Sequence, residues 1–454
     1  MLTVPAQDEN ISFFEQGGTS MGALNVLSHY FNDHLEMSLS EFYEHPTAAG
    51  QAALLGGAVE RKDLTTLTPA EILTPTVSAP VPTATVTQHS GNKVLVTGAT
   101  GFFGAHLVNE LISQGQPVIC LMRDGNKERL KECLAWYFGQ GSLLRARKLL
   151  TVVKGDISLP HLGMTETEFA ALAGQINAIY HSAADVRHYI ADEEAYLSVN
   201  VGGTANMLEL AKAAHASFYY MSTCSVSGDH LRTGGGAKFT EQNYDIGQIW
   251  EENIYVKSKF LAEGLVLKAA EEGLDVKIFR LGRLVGRASD GVFQRNPESN
   301  VFYLILNAFR QLGALPARSA AEKVDLMPID ICARQVLALK DREGRIYHIM
   351  HSDPPIFFDV LKAVAPETVV VDDTAFAQLL AEKAPCMSKE LSALVMDHWH
   401  RSKTNPCGTN TSLTFEQEVK ITVKEKYEEK SYYGRDYRTD GSADPVLYRY
   451  SVGG

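Results

Sequence analysis

The chain has 454 residues, more than one ordinary hydrophobic core holds, so two or three domains are expected. Its 45% apolar and 21% charged residues fit a globular protein, and a net charge of −12 argues against a nucleic-acid partner. The N-terminus shows no basic stretch followed by an apolar run, and no apolar run is long enough to span a bilayer, so neither a secretory signal nor a membrane partner is expected.

The acidity is concentrated at the start. Asp8, Glu9, Glu15, Asp33, Glu36, Glu41, Glu44 and Glu60 stand in the first 60 residues with no Lys or Arg, which leaves −4 for the rest. Such a module suits docking on basic partners, or is simply kept in solution by its charge. Phe13-Phe14-Glu15-Gln16-Gly17-Gly18-Thr19-Ser20 leads into Met21, Leu24, Leu27 and Phe31, which recur at helical spacing. A second short helix is predicted over 38–45, ended by Pro46, and a third over 47–55, stopped by Gly56-Gly57. Residues 58–92, with Pro69, Pro75, Pro80 and Pro82 among many Thr and Ser, read as linker.

A buried strand at 93–96, a helix at 103–114 and a strand at 117–122 come next. Apolar runs at 150–153, 178–181, 218–222 and 276–280 then alternate with helical patterns. This alternation predicts an α/β fold with a doubly wound parallel sheet. After about residue 290 the alternation fades, and 291–454 reads as a mostly helical, substrate-side region. Six cysteines (Cys120, Cys133, Cys224, Cys332, Cys386, Cys407) lack metal-type spacing and read as reduced thiols of a cytoplasmic protein. No metal site is expected.

Thr97-Gly98-Ala99-Thr100-Gly101-Phe102-Phe103-Gly104 is a G-x-x-G-x-x-G turn between a strand and a helix. Its glycines let the backbone approach a pyrophosphate at the helix N-terminus. The next strand ends in Arg123, with Arg129 further on. Arginine there accommodates a ribose 2′-phosphate, which favours NADPH, although Asp124 beside it leaves open a merely solvated arginine. Asp156 and Ile157 follow the third strand and are placed to flank an adenine. Ala183 and Ala184 follow the fourth; they line the cofactor or reflect close packing. Tyr255 and Lys259 form Y-x-x-x-K with Ser258 between them, and residues four apart share a helix face. Lys259 would reach the cofactor ribose and lower the phenol pKa of Tyr255. Thr223 ends the strand at 218–222, five residues before Gly228. Ser20 reads as an arm-bearing serine or as an ordinary helix N-cap.

Together these residues resemble the end of a nonribosomal peptide synthetase. A thiolation, or carrier, domain precedes a terminal thioester reductase domain of the extended short-chain dehydrogenase/reductase superfamily. Phe13-Phe14, Ser20 and His45-Pro46-Thr47 match the carrier pattern. Arg280-Leu281-Gly282-Arg283 and Val324-Asp325-Leu326-Met327-Pro328-Ile329-Asp330 read like the reductase. Carboxylic acid reductases and aminoadipate reductases share the arrangement. The resemblance implies a partial carrier at 1–57, a linker and reductase extension at 58–92, an NADPH-binding Rossmann subdomain at 93–290 and a substrate-binding subdomain at 291–454. It implies 4′-phosphopantetheine on Ser20, attached by a phosphopantetheinyl transferase, and an acyl or peptidyl thioester delivered from upstream synthetase modules. Thr223 and Tyr255 would polarise the thioester carbonyl, Tyr255 would protonate the alkoxide, and Lys259 would position phenol and cofactor. The product would be an aldehyde, reduced again to the alcohol in some members.

The pattern departs from the carrier family in one respect, since about a dozen residues including Pro5 stand where a helix normally precedes Phe-Phe. A truncated carrier is therefore expected, with Leu24, Leu27 and Phe31 exposed. Three other readings compete. Non-redox cyclising release goes with loss of the catalytic tyrosine, which this chain keeps. A sugar-nucleotide epimerase or dehydratase uses the same triad but is disfavoured by the carrier motif and Arg123. A carrier fragment with a dead reductase is disfavoured by Tyr255 and Lys259.

Overall fold

The computed structural model describes residues 91–187, 193–228, 231–232, 238–251 and 253–383, the short strand Thr414–Phe415 and, ahead of these, 45–57 with a subset of positions between 9 and 42. Seven strands build the central sheet: β1 (Lys93–Thr97), β2 (Val118–Met122), β3 (Leu150–Lys154), β4 (Ile176–His181), β5 (Ser217–Thr223), β6 (Val276–Leu281) and β7 (Ile346–Ile349). They lie in the order β7-β6-β5-β4-β1-β2-β3, all parallel. Parallel strands covered on both faces read as unbroken apolar runs, and Val94, Leu95 and Val96 are buried accordingly. The edge strand β3 instead exposes Thr151 and Lys154, which blunts pairing with another chain.

Helices α1 (Phe102–Ser113), α2 (Lys127–Phe138), α3 (Gly203–Ala214) and α4 (Ile254–Glu271) flank the sheet. Each face has its own core. One gathers Val96, Leu107, Leu111, Val118 and Phe279; the other gathers Leu95, Ile119, Met207, Leu210, Phe218 and Phe260. At roughly 1.5–3 kcal/mol per buried large aliphatic or aromatic side chain, these cores dominate the stability of the sheet. Chain order reverses between β1 and β4. Ligands of open α/β sheets bind at the carboxyl ends of the strands, at that switch point.

The sheet does not end near residue 290. Its seventh strand, β7, pairs with β6 from beyond the intervening 291–345 segment, Ile346 opposite Ile278 and Ile349 opposite Leu281. Helix α6 (Ile329–Leu339) also packs on α1. Residues 329–349 therefore belong to the nucleotide-fold layer, not to a separate mostly helical region starting at 291. Between them and β6, helix α5 (Val301–Leu312) belongs to a third core with Phe293, Leu306, Phe309, Leu315, Phe357 and Phe376. No helix among the described residues is long and apolar enough to cross a membrane.

The described part of the N-terminal module contains the helix Ala48–Leu55, capped by the Thr47 hydroxyl accepting from Gly50 N. Its small core corrects one expectation. Leu27 is not exposed but buried with Ala23, Met37, Phe42 and Leu54, and Phe13 meets Phe42 edge to face at 5.3 Å. The chain ahead of the helix is tied back by Phe13 N donating to Pro46 O and Ala49 N donating to Glu9 O. Ser20, Leu24 and Phe31 lie outside the described residues.

Candidate active site

The glycine turn sits at the switch point. Gly98 has φ +71°, and a Cβ there would stand 2.9 Å from Ala183 N. A Cβ on Gly104 would stand 2.1 Å from Gly98 O, so only glycine lets α1 pack this closely on the turn. Gly101 is the N-cap of α1 and no side chain caps it. The first-turn N–H groups are thus left to an anion, where the helix dipole favours one. Phe103 is buried in the core and Phe102 packs on Phe293 at 5.3 Å, so these two offer a pyrophosphate their backbone, not their rings.

Thr97 holds the crevice instead of reaching into it. Its hydroxyl accepts from Ser182 N (3.1 Å) and Ala183 N (3.0 Å) and meets His181 Nδ1 at 2.9 Å. His181 Nε2 stands 3.2 Å from Thr204 Oγ1, which itself donates to Asn200 O. With that proton committed, Thr204 accepts from Nε2–H, and Nδ1 accepts from Thr97. Burial pushes His181 down to about 3, so the ring is neutral. The chain of bonds welds β1, β4 and α3 beneath the turn.

From the first turn of α2, Arg129 reaches the glycine turn directly, its guanidinium donating to Thr100 Oγ1 at 3.3 Å. Asp124 pairs with Arg129 at 3.1 Å, which leaves exposed Arg123 as the cation beside it. Asp156 accepts from the Ser158 N–H and hydroxyl, closing its own turn. Ile157 is buried against Gly203, where an added Cβ would stand 2.9 Å from its Cδ1. Ala183 and Ala184 are half-buried. The glycine cradle, the uncapped helix and the arginine pair fit a phosphorylated dinucleotide.

Helix α4 carries the reactive pair. Asn253 caps it, its Oδ1 accepting from Tyr255 N at 2.9 Å, which fixes Tyr255 in the first turn. Thr223 ends β5, its hydroxyl bonded to Ser225 at 3.2 Å and near enough to the Tyr255 phenol to lower its pKa. Lys259 lies one turn on from Tyr255, buried, with Nζ donating to Met221 O at 2.8 Å and standing 5.0 Å from the Tyr220 ring centre. The three residues picked out from the sequence thus converge.

One electrostatic expectation is corrected. The Tyr255 phenol stands above its ordinary value because burial outweighs the effect of the neighbouring Thr223 hydroxyl. The ammonium is drawn to the Met221 carbonyl instead. Burial pushes Lys259 itself down to about 8, against the pull of Glu263. Activity that needs the ammonium is therefore expected to fall as pH rises through about 8. Stability runs the other way. An unfolded lysine keeps its proton up to about 10.5 while the folded one has lost it, so stability should rise between about 8 and 10.5. A pH–rate profile beside denaturant titrations checks both signs.

Asn200 was not picked out from sequence. It lies in a π-helical turn, Ser198–Gly202, of the kind that often marks functional sites. Its Nδ2 donates to Ser258 Oγ (3.0 Å) and Asp185 O (2.8 Å), and its Oδ1 accepts from Asp185 N (2.7 Å). Ser258 in turn donates to Tyr255 O at 2.9 Å. Asn200 so couples the segment after β4 to the helix that carries Tyr255. The Asn-x-Gly-Gly-Thr string was its one visible signal.

A seven-stranded doubly wound sheet with a glycine turn at its switch point and a Thr/Tyr/Lys trio beside it defines an extended short-chain dehydrogenase/reductase. The NAD-binding family described as male sterility protein matches residues 96–336, just over half of the chain. A solved thiolation–reductase di-domain from an archaeal non-ribosomal peptide synthetase is 29% identical with a TM-score of 0.73, the match covering 87% of this chain and 85% of that one. The terminal R domain of the myxalamid PKS-NRPS pathway is 26% identical with a TM-score of 0.62, covering 73% and 84%. A linear gramicidin synthase from Brevibacillus parabrevis is 27% identical over 387 residues, 80% of this chain and 7% of that protein. Nonribosomal peptide synthetase asaC of Aspergillus flavus is 28% identical over 381 residues, 78% of this chain and 36% of that protein. The chain thus spans well under half the length of these two relatives. It belongs to the matched NAD-binding family, and the solved structures it resembles are reductase domains of peptide synthetases.

Proposed function

We propose that this chain releases an acyl or peptidyl group from a carrier-bound thioester by NADPH-dependent reduction, giving an aldehyde and a free thiol. The observation that supports it most is Thr223 beside Tyr255, with buried Lys259 one turn on, at the carboxyl end of the same parallel sheet whose first strand leads into the glycine turn. Gly98, Gly101, Gly104 and the backbone of Phe102 and Phe103 would hold the pyrophosphate of NADPH, with Arg123 and Arg129 toward its 2′-phosphate. When bound, NADPH supplies the hydride. The hydroxyls of Thr223 and Tyr255 donate to the thioester carbonyl oxygen and stabilise the charge that develops there. Tyr255 then gives its proton to that oxygen, and collapse of the hemithioacetal breaks the C–S bond. Its raised pKa keeps the phenol in the donor form. Lys259 positions the site with its charge.

Ser20 is proposed to carry the phosphopantetheine arm, set there by a phosphopantetheinyl transferase, with the acyl chain passed from upstream modules. A cytoplasmic setting is part of this reading, supported by the unpaired, buried thiols of Cys120, Cys133, Cys224 and Cys332. The test follows NADPH absorbance while an aminoacyl or dipeptidyl pantetheine thioester is added, and repeats it with the acyl arm loaded on Ser20. Thioester-dependent oxidation is expected, and product mass separates aldehyde from alcohol. Thioester consumption with NADPH untouched would favour cyclising release instead.

A further inference from the structure

Lys259 and the reactive face of α4 are backed by a buried ion pair. Arg280 on β6 and Glu263 on α4 are both 0% exposed. Arg280 Nε donates to both carboxylate oxygens, at 3.1 and 3.2 Å, and its Nη2 to one of them at 2.7 Å. The guanidinium is anchored further by Asn243 O at 2.9 Å and lies over the Phe239 ring, 4.7 Å from its centre. Tyr255, Lys259 and Glu263 follow one another at four-residue intervals, so one helix face carries all three.

A buried ammonium needs an opposite charge or it gives up its proton. The groups around Lys259 are few. On α4 itself they are Tyr255 and Glu263; β5 contributes the Tyr220 ring and the Met221 carbonyl, β4 the neutral His181, and β6 Arg280 behind the carboxylate. Around Glu263 stand Arg280, Tyr220, Tyr244 and Cys224, with His348 beyond the guanidinium. Among the described residues Glu263 is the one carboxylate that acts on Lys259. Arg280 holds the carboxylate from the β6 side and is itself tethered to the 240–243 segment.

We propose that Glu263, held in place by Arg280, is a positioning residue that keeps the Lys259 ammonium charged behind Tyr255. This rests on the reductive-release reading for its catalytic meaning, but the charge itself can be measured without turnover. The direct readout is the titration of Lys259 by NMR on full-length protein carrying lysine labelled at ¹³Cε, its resonance identified by loss in Lys259→Gln. In Glu263→Gln the midpoint is expected to move to lower pH, and the alkaline limb of the pH–rate profile to move with it. Glu263→Asp, which keeps the charge, should stay near wild type.

Glu263→Gln leaves a buried guanidinium without its counter-charge and risks misfolding. Glu263→Met/Arg280→Met removes both charges together, a replacement that buried pairs often tolerate. It should lower the midpoint in the same direction. An unchanged midpoint in either folded variant overturns the proposal and leaves the pair a purely structural tie. If wild type oxidises no NADPH with any thioester, the release reading fails while the NMR titration still decides this one.

Discussion

Tyr255→Phe is expected to lower thioester-dependent NADPH oxidation by about 10²–10⁴-fold, the range a positioned proton donor contributes. The loss should fall on kcat, because the phenol acts on charge that develops during reduction. Cofactor affinity, followed by NADPH fluorescence titration, should be close to wild type. The structural cost is small. The Thr223 hydroxyl beside the phenol keeps Ser225 as a partner at 3.2 Å in the variant. A variant that turns over at the wild-type rate places the proton donor elsewhere.

Gly104→Ala is expected to remove NADPH binding and to destabilise the domain by about 1–3 kcal/mol, the usual cost of overpacking a tight core. The added methyl would stand 2.1 Å from Gly98 O and 3.1 Å from Ala99 Cα. Both are backbone atoms, so relief requires α1 to back away from the turn. That withdrawal carries the first-turn N–H groups away from the pyrophosphate. Gly101→Ala is the comparison for folding, since its methyl would meet Gly98 O only at 3.2 Å and its φ of −75° suits any residue, while the methyl would stand where the backbone approaches the pyrophosphate. Denaturant titrations with and without NADPH separate the two effects. Gly104→Ala should lose both apo stability and the stabilisation that the cofactor adds, and Gly101→Ala should keep its apo stability while losing much of the cofactor's.

Six of the seven sheet strands were legible because doubly covered parallel strands are apolar without a break, as in Val94-Leu95-Val96 or Val118-Ile119-Cys120. The seventh was not. Ile346-Tyr347-His348-Ile349 is four residues long, carries two polar groups and follows a stretch with no helix–strand rhythm. What makes it a strand is the free edge of β6, a tertiary fact. The Thr223, Tyr255 and Lys259 positions were legible because helix spacing and a strand end carry them. Their electrostatics were not, since the partner that draws the Lys259 ammonium is a main-chain carbonyl, which any residue at 221 would supply. Asn200 was missed because its role depends on a π-turn that periodicity does not encode. Thr97 was placed in the right turn, but its hydroxyl serves the neighbouring strand.

The arrival of β7 from beyond the substrate side bears on how the chain is made. A ribosome that has released residues 93–290 has delivered six strands and left β6 with an open edge, a ready template for pairing with another chain. Closure waits until residue 349 has emerged, so the substrate-side segment must be threaded before the nucleotide layer is finished. The two halves of the reductase are therefore one unit of synthesis. A fragment cut after residue 290 inherits the open edge, and grafting the later half onto a related domain must carry β7 along with it.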